Sequence, residues 1–380
     1  MPSPIPALGA PVEIIAMATE RAVNFKPRAM QRRPIGAHDV LIEIRFCGIC
    51  HTDVHVAKDD FNSFMPRNDV LVPGHEVAGV VTAIGVRVSR VKVGDRVGVG
   101  CLVGSCGECG GCRDEGAGQP ACPQQTMAYA SKDLTKAGIA ATYPKGGFTI
   151  GGYSNVTVVH EKFVVLIPRS YPLEFAGPVM CAGVTVYNPL MHFGASKGTR
   201  VGIVGPGGLG IMAIKIAKAL GCFVTAITTQ ANKIEFLTKE CGADFVIVSS
   251  SAAEMAAARR SRSIDLIIDC ATGPNRDVLM YESLLSRGGH IILCGISNTM
   301  MASNILSNIS SPQARLRVSM IGGIRQTQEV IDLCDKYKIF PATKIIAVEE
   351  INKAFGASAA RWPMRSHPPV LSPFCNPPHH

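Results

Sequence analysis

Closely spaced cysteines are the strongest chemical signal in this sequence. The segment SCGECGGC contains Cys106, Cys109 and Cys112, and Cys122 follows after nine further residues. Four thiolates on tight turns match a closed, tetrahedral zinc site that stabilises a fold. An iron–sulfur cluster uses similar spacings, but zinc is favoured here. A saturated site has no position open for a substrate, so the working site must lie elsewhere.

A second, dispersed group of residues could hold a metal with one position open. The segments GICHTDVH, PGHEVAG and MCAGVTVY contain Cys50, His75 with Glu76, and Cys181. Two thiolates and one imidazole form a catalytic zinc site when the fourth position remains available. Each residue alone is also explained by burial in a core, where a single cysteine behaves as a small apolar side chain. The combination favours a metal site.

A glycine-rich turn predicts a dinucleotide site. GPGGLG follows the apolar run RVGIV and opens an apolar helical segment, and it comprises Gly205, Gly207, Gly208, Leu209 and Gly210. In this context the first glycine allows the tight turn, the second lets the backbone approach a pyrophosphate, and the last lets helix and strand pack closely. The amino terminus of the helix then offers N–H groups to the phosphates. The alternative is an ordinary strand–helix turn.

The next strand indicates which nucleotide is bound. Domains that bind NAD place an acidic residue about 20 positions after the first glycine, where it accepts a hydrogen bond from the ribose 2′-hydroxyl. Here the strand ends VTAITTQANK, which contains no carboxylate. Thr228, Thr229 and Gln230 offer neutral donors and Lys233 offers a positive charge, although a lysine here can also be an ordinary surface residue. The segment therefore predicts NADP(H).

The elements that must position these residues fall into two patterns. Residues 40–100 alternate short apolar runs with glycine turns, which is typical of a small β-barrel. After about residue 182, strands alternate with helices, as in a doubly wound parallel sheet. We therefore predict an α/β protein with a mostly β, barrel-like catalytic domain (1–181), a dinucleotide-binding Rossmann domain (182–321) and a return to the catalytic domain (322–380) that ends in a proline-rich, loose tail.

Composition excludes several other classes. A hydrophobic fraction of 47% with 18% charged residues is typical of a soluble globular enzyme. We read no signal peptide and no membrane span, so we expect a cytoplasmic protein whose 14 cysteines are thiols or metal ligands. The net charge of +9 is scattered, with one dense run, ARRSRS. We interpret this run as a solvated helix face and expect no nucleic-acid partner.

These motifs together resemble the zinc-dependent medium-chain alcohol dehydrogenases, in particular the cinnamyl-alcohol-dehydrogenase-like, NADP-dependent branch. The resemblance runs from about residue 40 to about residue 355 and includes CGICHTDVH, VPGHEVAGVV, GGYSNVTVV, CAGVTVY, GPGGLG and GGIRQTQE. It implies a GroES-like catalytic domain and a homodimer. It also implies two zinc ions per chain and hydride transfer between NADP(H) and a primary alcohol/aldehyde pair that is aromatic, allylic or medium-chain aliphatic.

The resemblance also implies roles for individual residues. The catalytic zinc ligands would be Cys50, His75 and Cys181. Glu76 resembles the carboxylate beside the zinc, and Asp53 resembles the acceptor that orients a zinc-bound histidine. Thr52 and His55 resemble a relay that carries a proton from the substrate oxygen to solvent.

The sequence departs from the family pattern in three places. Nine residues rather than seven separate Cys112 from Cys122, Met127 stands where plant members carry an aromatic residue, and ARWPMRSHPPV replaces a closing strand of the type RYRFV. Two rival functions follow. One is an NADP-binding sensor or structural protein without turnover, and the other is a polyol dehydrogenase, which would usually lack the complete four-cysteine cluster.

Overall fold

The computed structural model describes residues 10–20, 23–60, 70–113, 122–131, 148–272, 278–295, 315–359 and 369–371. They fall into two units. The first runs to Cys181 and also includes Gly322–Asp335 and residues from Ala342 onward, and the second contains Ala182–Ile321 and Lys336–Pro341. Residues 336–341, which the sequence analysis assigns to the catalytic domain, therefore cluster with the second unit.

The elements are numbered in chain order. The strands are β1 (Val12–Ala18), β2 (Lys26–Arg32), β3 (Asp39–Gly48), β4 (Val77–Ile84), β5 (Arg96–Val99), β6 (Leu102–Gly104), β7 (Thr126–Met127), β8 (Val156–His160), β9 (Val165–Leu166), β10 (Arg200–Val204), β11 (Phe223–Thr228), β12 (Phe245–Val248), β13 (Ile264–Asp269), β14 (Leu285–Leu293), β15 (Leu316–Val318), β16 (Lys344–Ile346) and β17 (Pro369–Leu371). The α-helices are α1 (His51–Ala57), α2 (Gly110–Arg113), α3 (Ala176–Pro178), α4 (Val184–His192), α5 (Gly208–Ala219), α6 (Ala252–Ser261), α7 (Ile324–Tyr337) and α8 (Ile351–Ala359).

The first unit is built on a mostly antiparallel sheet. Its strand order is β16–β17–β3–β4–β5–β9, and β8 also pairs with β3. Strand β3 lies centrally because its apolar run is buried, including Val40, Ile42 and Ile44. Strands β1 and β2 form a separate antiparallel pair, as do β6 and β7. This arrangement agrees with the predicted barrel-like, GroES-like domain.

The carboxyl-terminal segment differs from the expected loose tail. Pro369–Leu371 forms strand β17, which pairs parallel with β16 and antiparallel with β3 through Val370 and Leu371. The proline stands at the first position of the strand, where a missing N–H removes no essential ladder bond. A closing strand therefore exists despite the unusual sequence, while the rest of the predicted tail after residue 359 lies outside the described residues.

A buried carboxylate fixes a loop of the first unit. Glu161 is 5% exposed. Its Oε2 accepts the backbone N–H groups of Ser89 at 2.8 Å and Arg90 at 3.0 Å, and its Oε1 bonds the His38 ring at 2.9 Å. Burial alone would raise the pKa of Glu161, but these three hydrogen bonds outweigh it and lower the pKa to about 2. The ionised carboxylate is therefore part of the folded state.

The second unit is a doubly wound parallel sheet. Its order is β12–β11–β10–β13–β14–β15, and each neighbouring pair is parallel. Read from its first strand, this is the order 3-2-1-4-5-6 of dinucleotide-binding domains. The predicted Rossmann fold is confirmed. Among the described residues, no helix is long and apolar enough to cross a lipid bilayer.

Candidate active site

Three chain segments of the first unit bring the predicted open metal site together. Cys50 immediately precedes α1, His75 and Glu76 immediately precede β4, and Cys181 lies in a π-helical turn at Val179–Gly183. One donor atom from each of the four residues lies within 4.8 Å of all the others. Single π-helical turns occur frequently at functional sites because they redirect a side chain out of the regular helical ladder.

The donor set fits zinc. His75 Nε2 lies 3.3 Å from the Cys181 sulfur, and its other ring nitrogen, Nδ1, lies 3.0 Å from Asp53 Oδ1. His75 is 3% exposed and Cys181 is 8% exposed. Thiolate, imidazole and carboxylate are the ligands that zinc takes in proteins, and a hydrogen bond from the distal nitrogen fixes the orientation of a ligating histidine. His75, Cys181 and Cys50 could therefore hold the ion, with Glu76 beside it.

Asp53 lies behind His75 as the resemblance implies. Its carboxylate is fully buried and accepts from the backbone N–H groups of Cys50 (2.9 Å) and Gly74 (3.1 Å) and from the Tyr153 hydroxyl (2.9 Å), besides bonding His75. Burial alone would raise the pKa of Asp53, but the His75 imidazolium and these hydrogen bonds lower it instead. Asp53 is thus held as an anion.

Glu76 occupies a space that only a neighbouring glycine allows. A Cβ atom added to Gly48 would lie 1.8 Å from Glu76 Oε2 and 2.9 Å from Glu76 Cβ. The Gly48 N–H also donates to the Glu76 carbonyl at 3.0 Å. Burial, together with the nearby Cys50 thiolate, raises the pKa of Glu76 to about 8. Burial is thus the main factor that disfavours the ionised form of this carboxyl group.

Two groups near this site were missed by the sequence reasoning. The buried Cys101 thiol accepts a hydrogen bond from Cys181, which lowers the pKa of Cys101 and raises that of Cys181. The Tyr129 ring packs 5.8 Å from the His75 ring, and burial, together with the nearby Asp53 carboxylate, raises the pKa of its hydroxyl. The sequence signal that could have identified Cys101 is its position five residues before Cys106. Tyr129 carried none, because a tyrosine two residues after a short strand is unremarkable.

The predicted relay residues lie on α1. Thr52 Oγ1 accepts from the Cys50 thiol at 3.7 Å, and His55 is one helical turn further along. His55 is 30% exposed, and its Nδ1 lies 2.8 Å from Asp60 Oδ2. The helix therefore places Thr52 next to a metal-ligand candidate and His55 towards solvent.

The four predicted structural ligands also converge. The sulfur atoms of Cys106, Cys109, Cys112 and Cys122 lie within 4.8 Å of one another, with 3.5 Å between those of Cys106 and Cys122. Backbone N–H groups of Glu108 and Cys109 point at the Cys106 sulfur and lower its pKa to about 6. Such N–H groups stabilise a thiolate. The longer loop before Cys122 therefore does not prevent it from reaching the cluster.

The glycine turn of the second unit has the backbone that its sequence predicts. It connects β10 to α5 and contains Gly205, Gly207, Gly208, Leu209 and Gly210. Gly205 has a φ of 73°, and a Cβ there would lie 2.5 Å from the Ala271 Cβ. A Cβ at Gly210 would lie 2.6 Å from the Gly205 carbonyl oxygen. Both positions therefore need glycine, whereas a Cβ at Gly207 would meet no atom within 4 Å among the described residues.

The residues predicted to select the nucleotide lie at the end of β11. Thr228 is buried, and its Oγ1 accepts from the Gln230 N–H at 3.2 Å. The Thr229 carbonyl accepts from the Ser250 hydroxyl. Lys233 ends a short 3₁₀ turn and is partly buried, which lowers its pKa. The strand end therefore presents neutral groups and one cation.

Comparisons with known proteins agree with this geometry. Residues 36–169 match the alcohol dehydrogenase GroES-like domain, and residues 208–336 match the zinc-binding dehydrogenase family. A probable cinnamyl alcohol dehydrogenase 3 from Oryza sativa subsp. japonica is 40% identical over 339 residues, covering 89% of this chain and 87% of that protein. A probable mannitol dehydrogenase from Fragaria ananassa is 39% identical over 332 residues, covering 87% of each.

A solved structure is similar over nearly the whole chain. The crystal structure of CAD from Helicobacter pylori complexed with NADP(H) has a TM-score of 0.80 and 29% identity, and the match covers 96% of this chain and 99% of that one. With both domains matched in order and a relative of 40% identity spanning most of its length, the chain belongs to the zinc-binding alcohol dehydrogenase family and is an oxidoreductase of alcohols.

Proposed function

We propose that this enzyme interconverts primary alcohols and aldehydes with NADP(H) at the site formed by Cys50, His75 and Cys181. The observation that carries the proposal is the convergence of these three donors on one buried point, with Glu76 as a fourth, weaker partner. Zinc held there would supply a Lewis acid for the substrate oxygen. NADP(H) would supply or accept the hydride.

The nucleotide would bind at the glycine turn of the second unit. The amino terminus of α5 suits a pyrophosphate, because the first N–H groups of a helix have no partner within the helix itself. Thr228 and Lys233 would contact the 2′-phosphate. This strand end has no acidic residue that would repel the phosphate. The neutral and cationic strand end supports NADP(H) over NAD(H), and so does the similar structure complexed with NADP(H).

Thr52 and His55 would move the proton of the substrate hydroxyl. A hydroxyl group can accept one proton while donating another, so Thr52 can pass a proton on. The His55 imidazole has one nitrogen that can accept a proton and one that can donate it, and the side chain is partly exposed, so it can exchange the proton with water. The hydrogen bond to Asp60 would orient its ring.

A second zinc would be held by Cys106, Cys109, Cys112 and Cys122. With four thiolates the site is closed, so this ion would stabilise the fold and take no part in the reaction. Two zinc ions per chain would therefore have separate roles.

A polyol substrate is the second candidate. It is favoured by the mannitol dehydrogenase among the relatives, and by the partly buried Met127 in β7, where a phenylpropenyl pocket would have an aromatic side chain. A protein without turnover is disfavoured, because an open thiolate–imidazole site has no structural purpose. Assays of cinnamaldehyde, benzaldehyde and hexanal with NADPH, beside mannitol with NADP⁺, test these readings through the change in cofactor absorbance. Turnover of mannitol alone would favour a polyol dehydrogenase. If zinc-loaded protein turns over none of these substrates, a binding protein without turnover would be favoured.

We also propose a homodimer in the cytoplasm. Strand β15 stands at the end of the second unit's strand order, and Val318 is 45% exposed there, which supports pairing of two copies along this edge. A reducing compartment is supported by the need of both metal sites for thiolates. Light scattering after size-exclusion chromatography tests the dimer, and a monomeric mass at assay concentration would overturn it.

A further inference from the structure

The Tyr153 hydroxyl completes the hydrogen bonding of the carboxylate behind the metal site. It donates to Asp53 Oδ2 at 2.9 Å, and Tyr153 is 1% exposed. A carboxylate has about four acceptor sites. Two backbone N–H groups and the His75 ring occupy three of those on Asp53, so Tyr153 fills the fourth. Without it, Oδ2 would lose one of its hydrogen bonds, and the carboxylate would be freer to turn away from His75.

Arg32 fixes the chain segment that carries this tyrosine. The segment, residues 150–156, is here called the clamped segment. Arg32 Nε donates to the Val156 carbonyl, one terminal nitrogen donates to Ile150, and the other donates to Gly151, each at 2.8 Å. The last nitrogen also reaches the Ser154 hydroxyl at 2.9 Å. One side chain thus holds four groups within seven residues.

The clamped segment is also bonded to the chain that leads into His75. The N–H groups of Gly151, Gly152 and Tyr153 donate to the carbonyls of Val72, Gly74 and Pro73 at 2.8, 2.8 and 3.0 Å. The Tyr153 ring packs edge-on against Phe25 and Phe355, with ring centroids 6.1 Å away in each case. The position of the Tyr153 hydroxyl is therefore determined by both its backbone and its ring.

The chemistry of Arg32 is unusual for a residue with a purely packing role. It is 2% exposed, and all four of its hydrogen bonds go to neutral oxygens. Burial, with the nearby Arg33 charge, lowers the pKa of Arg32 to about 9. Burying a charge without an opposite charge is costly, so the side chain is retained against this cost. What the guanidinium adds is a rigid fork of donors that permits one conformation of the clamped segment.

We propose that Tyr153 is a positioning residue that orients Asp53, and through it His75, and that Arg32 serves the same purpose by fixing the clamped segment. The inference rests on the proposed function, since it assumes that His75 is a zinc ligand. Groups in this position behind a metal ligand typically change metal affinity by about 10- to 100-fold when removed. Tyr153→Phe removes one hydroxyl and keeps the ring, so it should weaken catalytic zinc binding by a factor in this range.

The test measures zinc binding directly. Zinc-loaded protein is titrated with a chromogenic chelator, and His75→Ala identifies which of the two release phases belongs to the catalytic site. Tyr153→Phe should weaken that phase by about 10- to 100-fold and leave the four-cysteine phase unchanged. Tyr171→Phe is the matched control, because Tyr171 is a fully buried tyrosine of the same unit whose charged neighbour is Asp335. It should leave both phases unchanged. The visible spectrum of cobalt-substituted protein should shift for Tyr153→Phe and not for the control.

A double-mutant cycle separates positioning from general packing. In an Asp53→Asn background, Tyr153→Phe should change zinc affinity by no more than about twofold, the usual error of additivity. Arg32→Lys keeps the charge but loses the fork, and it should weaken the same zinc phase. If it lowers the unfolding temperature while zinc affinity stays normal, the role of Arg32 is wrong.

The outcomes distinguish the two levels of the argument. If His75→Ala retains both zinc phases, the ligand assignment and hence the proposed function fail. If His75→Ala loses one phase but Tyr153→Phe behaves as the Tyr171 control does, the positioning role alone fails. Should the Asp53 variant not fold, the comparison of Tyr153→Phe with Tyr171→Phe still decides.

Discussion

Replacing Lys233 by methionine should convert a preference for NADPH into near-indifference between the two nicotinamide cofactors. Lys233 is partly buried at the end of the β11 segment, and burial lowers its pKa. Its ammonium is therefore partly removed from water, which strengthens a contact with phosphate. A hydrogen bond to a charged group contributes about 1.5–3 kcal/mol, equivalent to about 10- to 150-fold in Kd. We expect the Kd for NADPH to rise by this factor. NADH has no 2′-phosphate, so its Kd should hardly change.

Fluorescence titration with each reduced cofactor gives the two Kd values, and KM values with one aldehyde substrate provide a second measure. Lys239→Met is the matched control, because Lys239 lies in the same region but forms an exposed ion pair with Glu235. Thr228→Asp should move the preference further towards NADH, since the new carboxylate would repel the phosphate. Equal affinity of the unmutated enzyme for both cofactors, or an equal loss for both in Lys233→Met, would refute the reasoning.

Three further predictions concern the remaining groups. Cys50→Ser should abolish turnover and lose one zinc. Cys109→Ser should lose the other zinc and lower the unfolding temperature, because metal binding at the four-cysteine cluster supplies folding free energy. Elemental analysis measures the zinc content and thermal unfolding measures the stability of both variants. Thr52→Val should lower kcat by about 10²–10⁴-fold at unchanged NADPH affinity, and His55→Ala should cost less while shifting the pH profile; near-normal kcat in Thr52→Val would contradict the relay. Glu161→Gln should lower the free energy of unfolding at pH 7 by about 1–3 kcal/mol. The folded-state pKa of Glu161, about 2, lies below the ordinary value of 4.5. The stabilisation is therefore present above about pH 4.5 and is lost as the pH falls towards 2. If denaturant titrations at pH 2 still show the variant to have a lower free energy of unfolding than the wild type, this prediction is wrong.

Much of the fold and the candidate site could be predicted because the signals are local. The glycine turn encodes its own backbone, since Gly205 needs a positive φ and Gly210 needs close contact with the turn. Cys106, Cys109 and Cys112 are within one short segment, so their spacing indicates a common centre without knowledge of the fold. The alternation of strand and helix segments after residue 182 similarly predicted the parallel sheet, and the structure confirms this prediction.

The supporting groups could not be predicted because they act across long sequence separations. Tyr153 is 100 positions from Asp53, and Arg32 is 118 to 124 positions from the carbonyls that it binds. Their residue types fit many other roles, and no spacing rule connects them. The strand at Pro369 was missed for a different reason. A proline-rich segment disfavours a strand in general, but the first residue of a strand tolerates proline.

The two cysteine clusters differ in how much of the fold each requires, and this difference supports the roles proposed for them. In the four-cysteine cluster the most distant pair with a direct contact, Cys106 and Cys122, is 16 positions apart, and nearby backbone N–H groups stabilise the thiolate of Cys106. A metal can therefore organise that loop largely by itself. In the open cluster, His75 and Cys181 are 106 positions apart and buried, and the orientation of His75 depends on Asp53 and on a tyrosine from a third segment. Such a site can keep an unsaturated metal in a defined geometry only if the surrounding fold fixes the positions of its ligands. We therefore expect the reactive centre to be the cluster whose geometry the whole unit enforces, and the locally encoded cluster to be the one that stabilises the fold.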